Sequence, residues 1–155
     1  MRIVLISAIV LLAACGEGTT DFTACGGDVT GTWNFTGATV ANACSTETPA
    51  ITGFAAFNAN GHYSISGNVK AWKLHGAEPC GFDTVHAGFW KQVGSRICIA
   101  ESPAELDSQP CDETAHTLDK PWSAAADVCI EAATLTLSTS SLFGLNQAAT
   151  LTLTK

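Results

Sequence analysis

The amino-acid sequence predicts an all-β protein, a small antiparallel up-and-down barrel with one or two short helices in an excursion over residues 101–127. A β-sandwich is the alternative. Two observations predict this class. Short segments in which apolar and polar residues alternate recur through the body of the chain, as in half-buried strands. Turn signals rich in glycine and asparagine separate these segments. About seven to nine such strands are enough for one small barrel or sandwich.

The composition agrees with one folded domain and excludes two classes of protein. Of the 155 residues, 46% are hydrophobic and 14% are charged, which is not the composition of a disordered chain. Seven Lys and Arg residues against 14 Asp and Glu residues give a net charge of −7. The chain therefore lacks the basic surface that nucleic-acid binding requires.

The first 14 residues differ from the body of the chain and predict a secretory signal peptide. Arg2 supplies a positive charge, and residues 3–14 carry none. As a helix this run would be about 18 Å long, too short to cross a hydrocarbon core of about 30 Å. A basic start, a short apolar run and small residues at its end are typical of a signal that is removed after export.

The end of this segment, Leu12-Ala13-Ala14-Cys15, resembles the lipobox of bacterial lipoproteins. The resemblance implies cleavage before Cys15, diacylglycerol on its sulfur and anchoring of the mature chain in a membrane. The residue after Cys15 is Gly16 and not Asp, a pattern that in Gram-negative bacteria implies passage to the outer membrane. Residues 15–24 are then a lipidated N-terminus with a flexible tether, and residues 25–155 are the folded domain.

The first half of the domain contains the clearest strand signals. Residues 31–37 alternate strictly, and the Asn-Gly pair in residues 58–61 predicts a hairpin between strands at 51–57 and 62–66. Gly67-Asn68 predicts a turn or bulge before a further strand at 69–74.

The second half predicts a hairpin, an irregular excursion and two final strands. Residues 87–93 and 95–100 flank a turn at Gly94-Ser95. Ser102, Pro103 and Glu105 have the order of a helix start, and residues 121–126 predict a second short helix. The leucines and threonines of residues 129–138 and 149–154 alternate as two more strands.

Six cysteines remain after Cys15, and their even number in an exported chain predicts three disulfides. Six cysteines allow 15 pairings, among which we favour neighbours in sequence: Cys25 with Cys44, Cys80 with Cys98, and Cys111 with Cys129. A structural metal site is the alternative. The sequence lacks the closely spaced Cys and His pairs that such sites show, so no metal is expected.

Two further motifs resemble lipocalins. Gly31-Thr32-Trp33 is similar to the G-x-W element of that family, in which the Trp closes the bottom of the barrel. Residues 57–64 look like a hairpin common in bacterial lipocalin-like lipoproteins. The resemblance implies a barrel with an internal ligand pocket. The T-D-x-Y element of true lipocalins is absent, and the late-strand Arg is missing, since Arg96 lies in mid-chain.

The aromatic residues of the domain have two interpretations. They line a cup for an apolar ligand, or they fill a solid core, which we favour because small barrels are often packed with side chains. The residues in question are Trp33, Phe35, Phe54, Phe57, Tyr63, Trp72, Phe89 and Trp90. The apolar stretch 140–145 is a second candidate, either as a contact patch for a membrane or partner or as a cap of the barrel end.

No catalytic motif is present, so we expect a protein that is not an enzyme and needs no cofactor. The five acids of residues 101–113 lack the spacing of a calcium loop and predict a solvated surface. His75 and His86, which flank Cys80, are expected to be loop residues rather than a pH-sensitive or metal pair. The expected function is a lipid-anchored binding module of the bacterial cell envelope that holds a small apolar ligand. The alternative is a protein-interaction or enzyme-inhibitor lipoprotein with a filled barrel.

Overall fold

The computed structural model describes residues 22–41, 43–72, 80–108, 111, 124–139 and 148–155, and these contain eight strands and one helix. The lipobox with Cys15 and the apolar stretch 140–145 lie outside the described residues. The elements are β1 (Gly31–Val40), β2 (Ala50–Phe57), β3 (His62–Lys70), β4 (Phe82–Val93), β5 (Arg96–Ala100), α1 (Pro103–Ser108), β6 (Ala124–Glu131), β7 (Thr134–Thr139) and β8 (Ala149–Thr154).

The strands form one closed up-and-down barrel. Each strand pairs antiparallel with the next, and β8 returns to pair with β1. The register between β1 and β8 shifts once, between Phe35 and Gly37, which marks a β-bulge where the sheet closes. The predicted barrel is confirmed, and the sandwich alternative is wrong.

The two ends of the barrel differ in their connections. At one end, here called the turn end, the strands are joined by residues 58–61, 94–95 and 132–133. At the other, the loop end, the connections span residues 41–49, 71–81, 101–123 and 140–148. Short turns hold the strands close together, so the turn end is the tightly packed one.

Apolar side chains from all parts of the sheet point into the barrel. Trp33, Tyr63, Leu135 and Leu153 are among the largest side chains that are fully buried. The alternation in β7 and β8 is confirmed, since their leucines are buried while the threonines of residues 134–138 and 150–154 are half-exposed. A second, smaller cluster lies outside the barrel, where α1 packs on β4 and β5 beside Ala125 of β6: Cys98, Ala100, Leu106 and Ala125.

Three predicted boundaries are wrong. Gly67-Asn68 is no turn, because β3 runs through it opposite Gly53, where the two backbones approach so closely that neither residue can carry a side chain. Residues 129–138 are not one strand, because Ala132-Ala133 turns the chain from β6 into β7 with Ala132 at a φ of 54°. Of the second predicted helix, residues 124–126 belong to β6, and residues 121–123 lie outside the described residues.

The helix start at Ser102 is confirmed. The hydroxyl of Ser102 accepts a hydrogen bond from the backbone N–H of Glu105 at 3.2 Å, and its carbonyl accepts one from Leu106 at 3.1 Å. At the other end of α1, the ammonium group of Lys91 donates to the carbonyl of Leu106. A helix of six residues is not stable alone, so these caps and the burial of Leu106 hold it.

Candidate functional site

The turn end of the barrel is sealed around Trp33. The indole of Trp33 is 1% exposed, and its Nε1 donates to the carbonyl of Val29 at 2.7 Å. The segment before β1 therefore crosses beneath the barrel and closes it. The ammonium group of Lys155 lies 4.6 Å from the centre of the Trp33 ring, a cation–π contact. A lysine directly after the last strand thus supplies a cation on this Trp.

An aliphatic cavity lies in the interior of the barrel. Every strand except β4 contributes to its wall, and only Thr139 among the lining residues carries a polar side chain. The lining residues are Phe35, Ile51, Ala55, Phe57, Ile65, Ile97, Ile99, Ala125, Ala126, Leu137, Thr139 and Leu151.

The volume of this cavity limits what can occupy it. The cavity is about 50 Å³, whereas the wider space around it, about 590 Å³, includes open solvent. An engineered apolar cavity of about 150 Å³ in another protein holds benzene, so the enclosed part of this cavity is too small for a ring system. It can take part of a narrow chain, whose remainder would lie in the wider space around it.

The eight aromatic residues named from the sequence divide into three groups. Phe35 and Phe57 line the cavity. Trp33, Tyr63 and Trp72 are buried in the core, as the filled-core interpretation predicts. The other three are Trp90, which packs edge-to-face on Phe57 at 5.3 Å, Phe89, which packs on His62 and the cluster under α1, and Phe54, which is 38% exposed.

Sequence reasoning missed the residues that form most of the cavity wall. They are isoleucines, leucines and alanines that occupy inward positions of ordinary strands, and the alternation pattern does contain them. What the pattern does not show is that Ala55 and Ala126 stand where larger residues would fill the lumen. The signal that could have indicated the cavity is the presence of alanine, a small residue, at inward positions of the strands.

A buried polar pair lies on the inner face of β3 and β4. The oxygen of Tyr63 is 2.8 Å from Nδ1 of His86. Burial, with a smaller effect of Glu101 and Glu105, raises the pKa of the Tyr63 hydroxyl, so Tyr63 stays protonated. Burial also lowers the pKa of His86, although Glu101 opposes this effect. A neutral His86 can accept the proton of Tyr63.

The expectation that His86 is a loop residue is wrong, because His86 belongs to β4. His75 lies outside the described residues.

Two buried polar groups have no hydrogen-bond partner within the described part of the chain. They are Nε1 of Trp72 and the hydroxyl of Thr84. Thr84 stands opposite Gly67 in the β3–β4 ladder, in the half of the barrel near the loop end. Burying a polar group costs free energy unless it finds a hydrogen-bond partner.

The six cysteines of the domain form three pairs, and none of them is among the three pairs favoured from the sequence. Cys25 pairs with Cys129, Cys44 with Cys80 and Cys98 with Cys111, at Cα–Cα distances of 4.5, 5.8 and 5.6 Å. The path of the segment before β1 explains the difference. This segment crosses the turn end to β6, where Gly26 bridges Cys129, so Cys25 meets Cys129 and the remaining cysteines pair in order along the chain.

The described residues contain one group of potential metal ligands, formed by Cys25, Cys129 and Glu131 within 4.8 Å of one another. The two sulfurs are bonded to each other in the disulfide. They are therefore not thiolates, the form in which cysteine binds metals. This group does not have the chemistry of a zinc site.

None of the helical residues described in the structure forms a segment long and apolar enough to span a membrane. Comparison of the chain with family models, with curated proteins and with solved structures finds no match.

Proposed function

We propose that this protein is a lipid-anchored, lipocalin-like lipoprotein of the bacterial cell envelope, located in the outer membrane. In this proposal its barrel binds a narrow aliphatic chain and does not catalyse a reaction. The aliphatic cavity above the sealed turn end carries the proposal. The lipobox at Leu12–Cys15 supports the anchor. Three cysteine pairs at bonding distance support an oxidising compartment outside the cytoplasm.

The chemistry of the cavity wall favours an unbranched, uncharged chain. No lining residue carries a charge, so nothing in the wall compensates the burial of an ionised group. Only Phe35 and Phe57 offer aromatic surface, and apart from Thr139 the other lining side chains are aliphatic. Each methylene group that leaves water contributes about 0.8 kcal/mol. A chain that buries about six methylenes in the cavity and the wider space around it together would gain about 5 kcal/mol, which corresponds to a sub-millimolar dissociation constant.

A series of straight-chain alcohols from butanol to decanol tests this proposal. We expect the affinity, measured by isothermal titration calorimetry, to rise about fourfold for each added methylene until the cavity is full, because each buried methylene contributes about 0.8 kcal/mol. A bulky ring such as naphthalene should bind more weakly than octanol.

Cavity-filling variants locate the binding. Ala55→Val and Ala126→Val add methyl groups to two wall positions, and the double variant should lose at least tenfold in octanol affinity. Ala56→Val is the matched control, because Ala56 is only partly buried and does not line the cavity. Equal binding by the double variant and the control would contradict the proposal, as would an affinity independent of chain length. Either result would favour the interaction-lipoprotein alternative.

A further inference from the structure

The segment before β1 is attached to the turn end at several points. Residues 25–30, here called the strap, start beside β6 and lead to β1. The amides of Cys25 and Gly26 donate to the carbonyl of Val128 at 3.1 and 2.8 Å. The amide of Ile130 donates back to Gly26 at 2.9 Å, and the side chain of Gln92 donates to the carbonyl of Gly27 at 2.6 Å.

A covalent bond fixes the start of the strap. Cys25 is joined to Cys129, two residues before the end of β6. Chain that leaves the barrel toward the N-terminus therefore departs from the turn end. This exit point does not move unless the disulfide is broken.

We infer that the turn end faces the lipid surface and the loop end faces away from it. The inference rests on the proposed lipid anchor at Cys15. The ten peptide units from Cys15 to Cys25 reach about 33–36 Å when fully extended and about 16–19 Å on average as a coil. The loop end lies farther away by the height of the barrel, about 23 Å for nine-residue strands tilted by about 40°.

The charge distribution favours the same orientation. Among the described residues near the turn end, the charged side chains are three acids and two bases: Asp28, Arg96, Asp127, Glu131 and Lys155. The described residues of the loop end and the adjoining helix carry five acids: Glu47, Asp83, Glu101, Glu105 and Asp107. Against these stand two bases, Lys70 and Lys91, the second of which bonds to α1. An anionic membrane surface repels the more acidic end.

Apolar groups at the turn end fit the same arrangement. Val93, which is 57% exposed, stands beside the β4–β5 turn, and Ala59, Ala132 and Ala133 are exposed in the other two turns. Thr139 and Leu151 of the cavity wall lie toward the loop end. A ligand then reaches the cavity from the aqueous side and not directly from the bilayer.

Depth-dependent quenching on vesicles tests this orientation. The lipidated protein is reconstituted in phosphatidylethanolamine–phosphatidylglycerol vesicles that contain a lipid with a nitroxide on its headgroup. A fluorophore is attached through a single introduced thiol, in Ala59→Cys at the turn end or in Thr46→Cys at the loop end, both exposed sites. The disulfides are kept oxidised. We expect the fluorophore at position 59 to be quenched at least about twofold more than that at position 46. The reason is that the average length of the tether as a coil, about 16–19 Å, is less than the height of the barrel, about 23 Å.

Equal quenching at the two positions, or stronger quenching at position 46, would overturn the orientation while leaving the anchor intact. The Cys15→Ser protein is the control for the anchor, and it should not sediment with the vesicles. If the unaltered protein also fails to sediment, the proposed lipid anchor is wrong, and the orientation is overturned with it.

Discussion

At the scale of single residues, the pair formed by Tyr63 and His86 is the group most sensitive to pH. Tyr63 is fully buried and His86 is half-buried, and their polar atoms are 2.8 Å apart. Because burial lowers the pKa of His86, the folded protein takes up a proton on this residue less readily than the unfolded chain does. His86 therefore links folding stability to pH.

The sign of this linkage gives a prediction. The contribution of His86 to folding stability is fully present above 6.5, its pKa in the unfolded chain. It is lost as the pH falls from that value through the lower pKa that His86 has in the folded protein. We expect the urea midpoint of the unaltered protein to fall between pH 7.5 and pH 5.5. In His86→Gln the fall should be smaller, since the substituted side chain does not titrate.

The difference between the two proteins isolates His86, because every other histidine is present in both. An equal fall in both midpoints would contradict the assignment. His62 lies nearby on the outer face of β3 and makes ring contact with Phe89. The His62→Gln protein therefore serves as a control for removing a histidine from the neighbouring strand.

The residue scale also shows what the sequence allows one to predict. Trp33 was singled out from the resemblance of Gly31-Thr32-Trp33 to the G-x-W element, and Trp33 is buried at the turn end. The contact of Lys155 with Trp33 was missed, because it depends on the pairing of the last strand with the first. Nothing in the sequence indicates that pairing. The cavity was missed for a related reason. Ala55 and Ala126 are distant in sequence, and only the folded barrel makes them part of the same cavity wall.

At the scale of elements, strands with a strict period of two were predictable and irregular turns were not. The Asn-Gly turn between β2 and β3 was correctly located, since that pair tolerates positive φ. The turn at Ala132-Ala133 gave no such signal, because Ala132 adopts a positive φ that alanine rarely takes. The surrounding β6–β7 ladder imposes that conformation, so tertiary structure decides it.

The three disulfides connect different elements and differ in the chain length that they enclose. Cys25–Cys129 encloses a separation of 104 residues, Cys44–Cys80 one of 36 and Cys98–Cys111 one of 13. On the chain-entropy account, longer loops stabilise more, from about 3 kcal/mol for short loops to about 4.7 kcal/mol for loops of about 100 residues. The bond at the strap should therefore contribute most.

Paired Cys→Ala substitutions test this order. We expect the free energy of unfolding, measured with urea, to fall by about 4–5 kcal/mol in Cys25→Ala/Cys129→Ala and by about 3–4 kcal/mol in Cys44→Ala/Cys80→Ala. The first variant also frees the strap beneath Trp33, which adds to the loss. A larger effect in the second variant would contradict the view that the strap holds the barrel closed.

At the scale of the whole molecule, closure of the sheet explains most of the features that sequence alone could not provide. It pairs β1 with β8 and places Lys155 on Trp33. It also leaves a narrow aliphatic space, because the turn end is packed and sealed while alanines keep part of the lumen open. The molecule is best described as a sealed cup with a small apolar interior.

The isoleucine methyl NMR spectrum, recorded during a titration with octanol, tests this account most directly. Residues 15–155 contain five isoleucines, of which Ile51, Ile65, Ile97 and Ile99 line the cavity and Ile130 does not. The account predicts saturable shifts of the first four methyl signals with one common dissociation constant, while the Ile130 signal stays in place. Unchanged signals for the four cavity residues at saturating octanol, or a shift confined to Ile130, would contradict it.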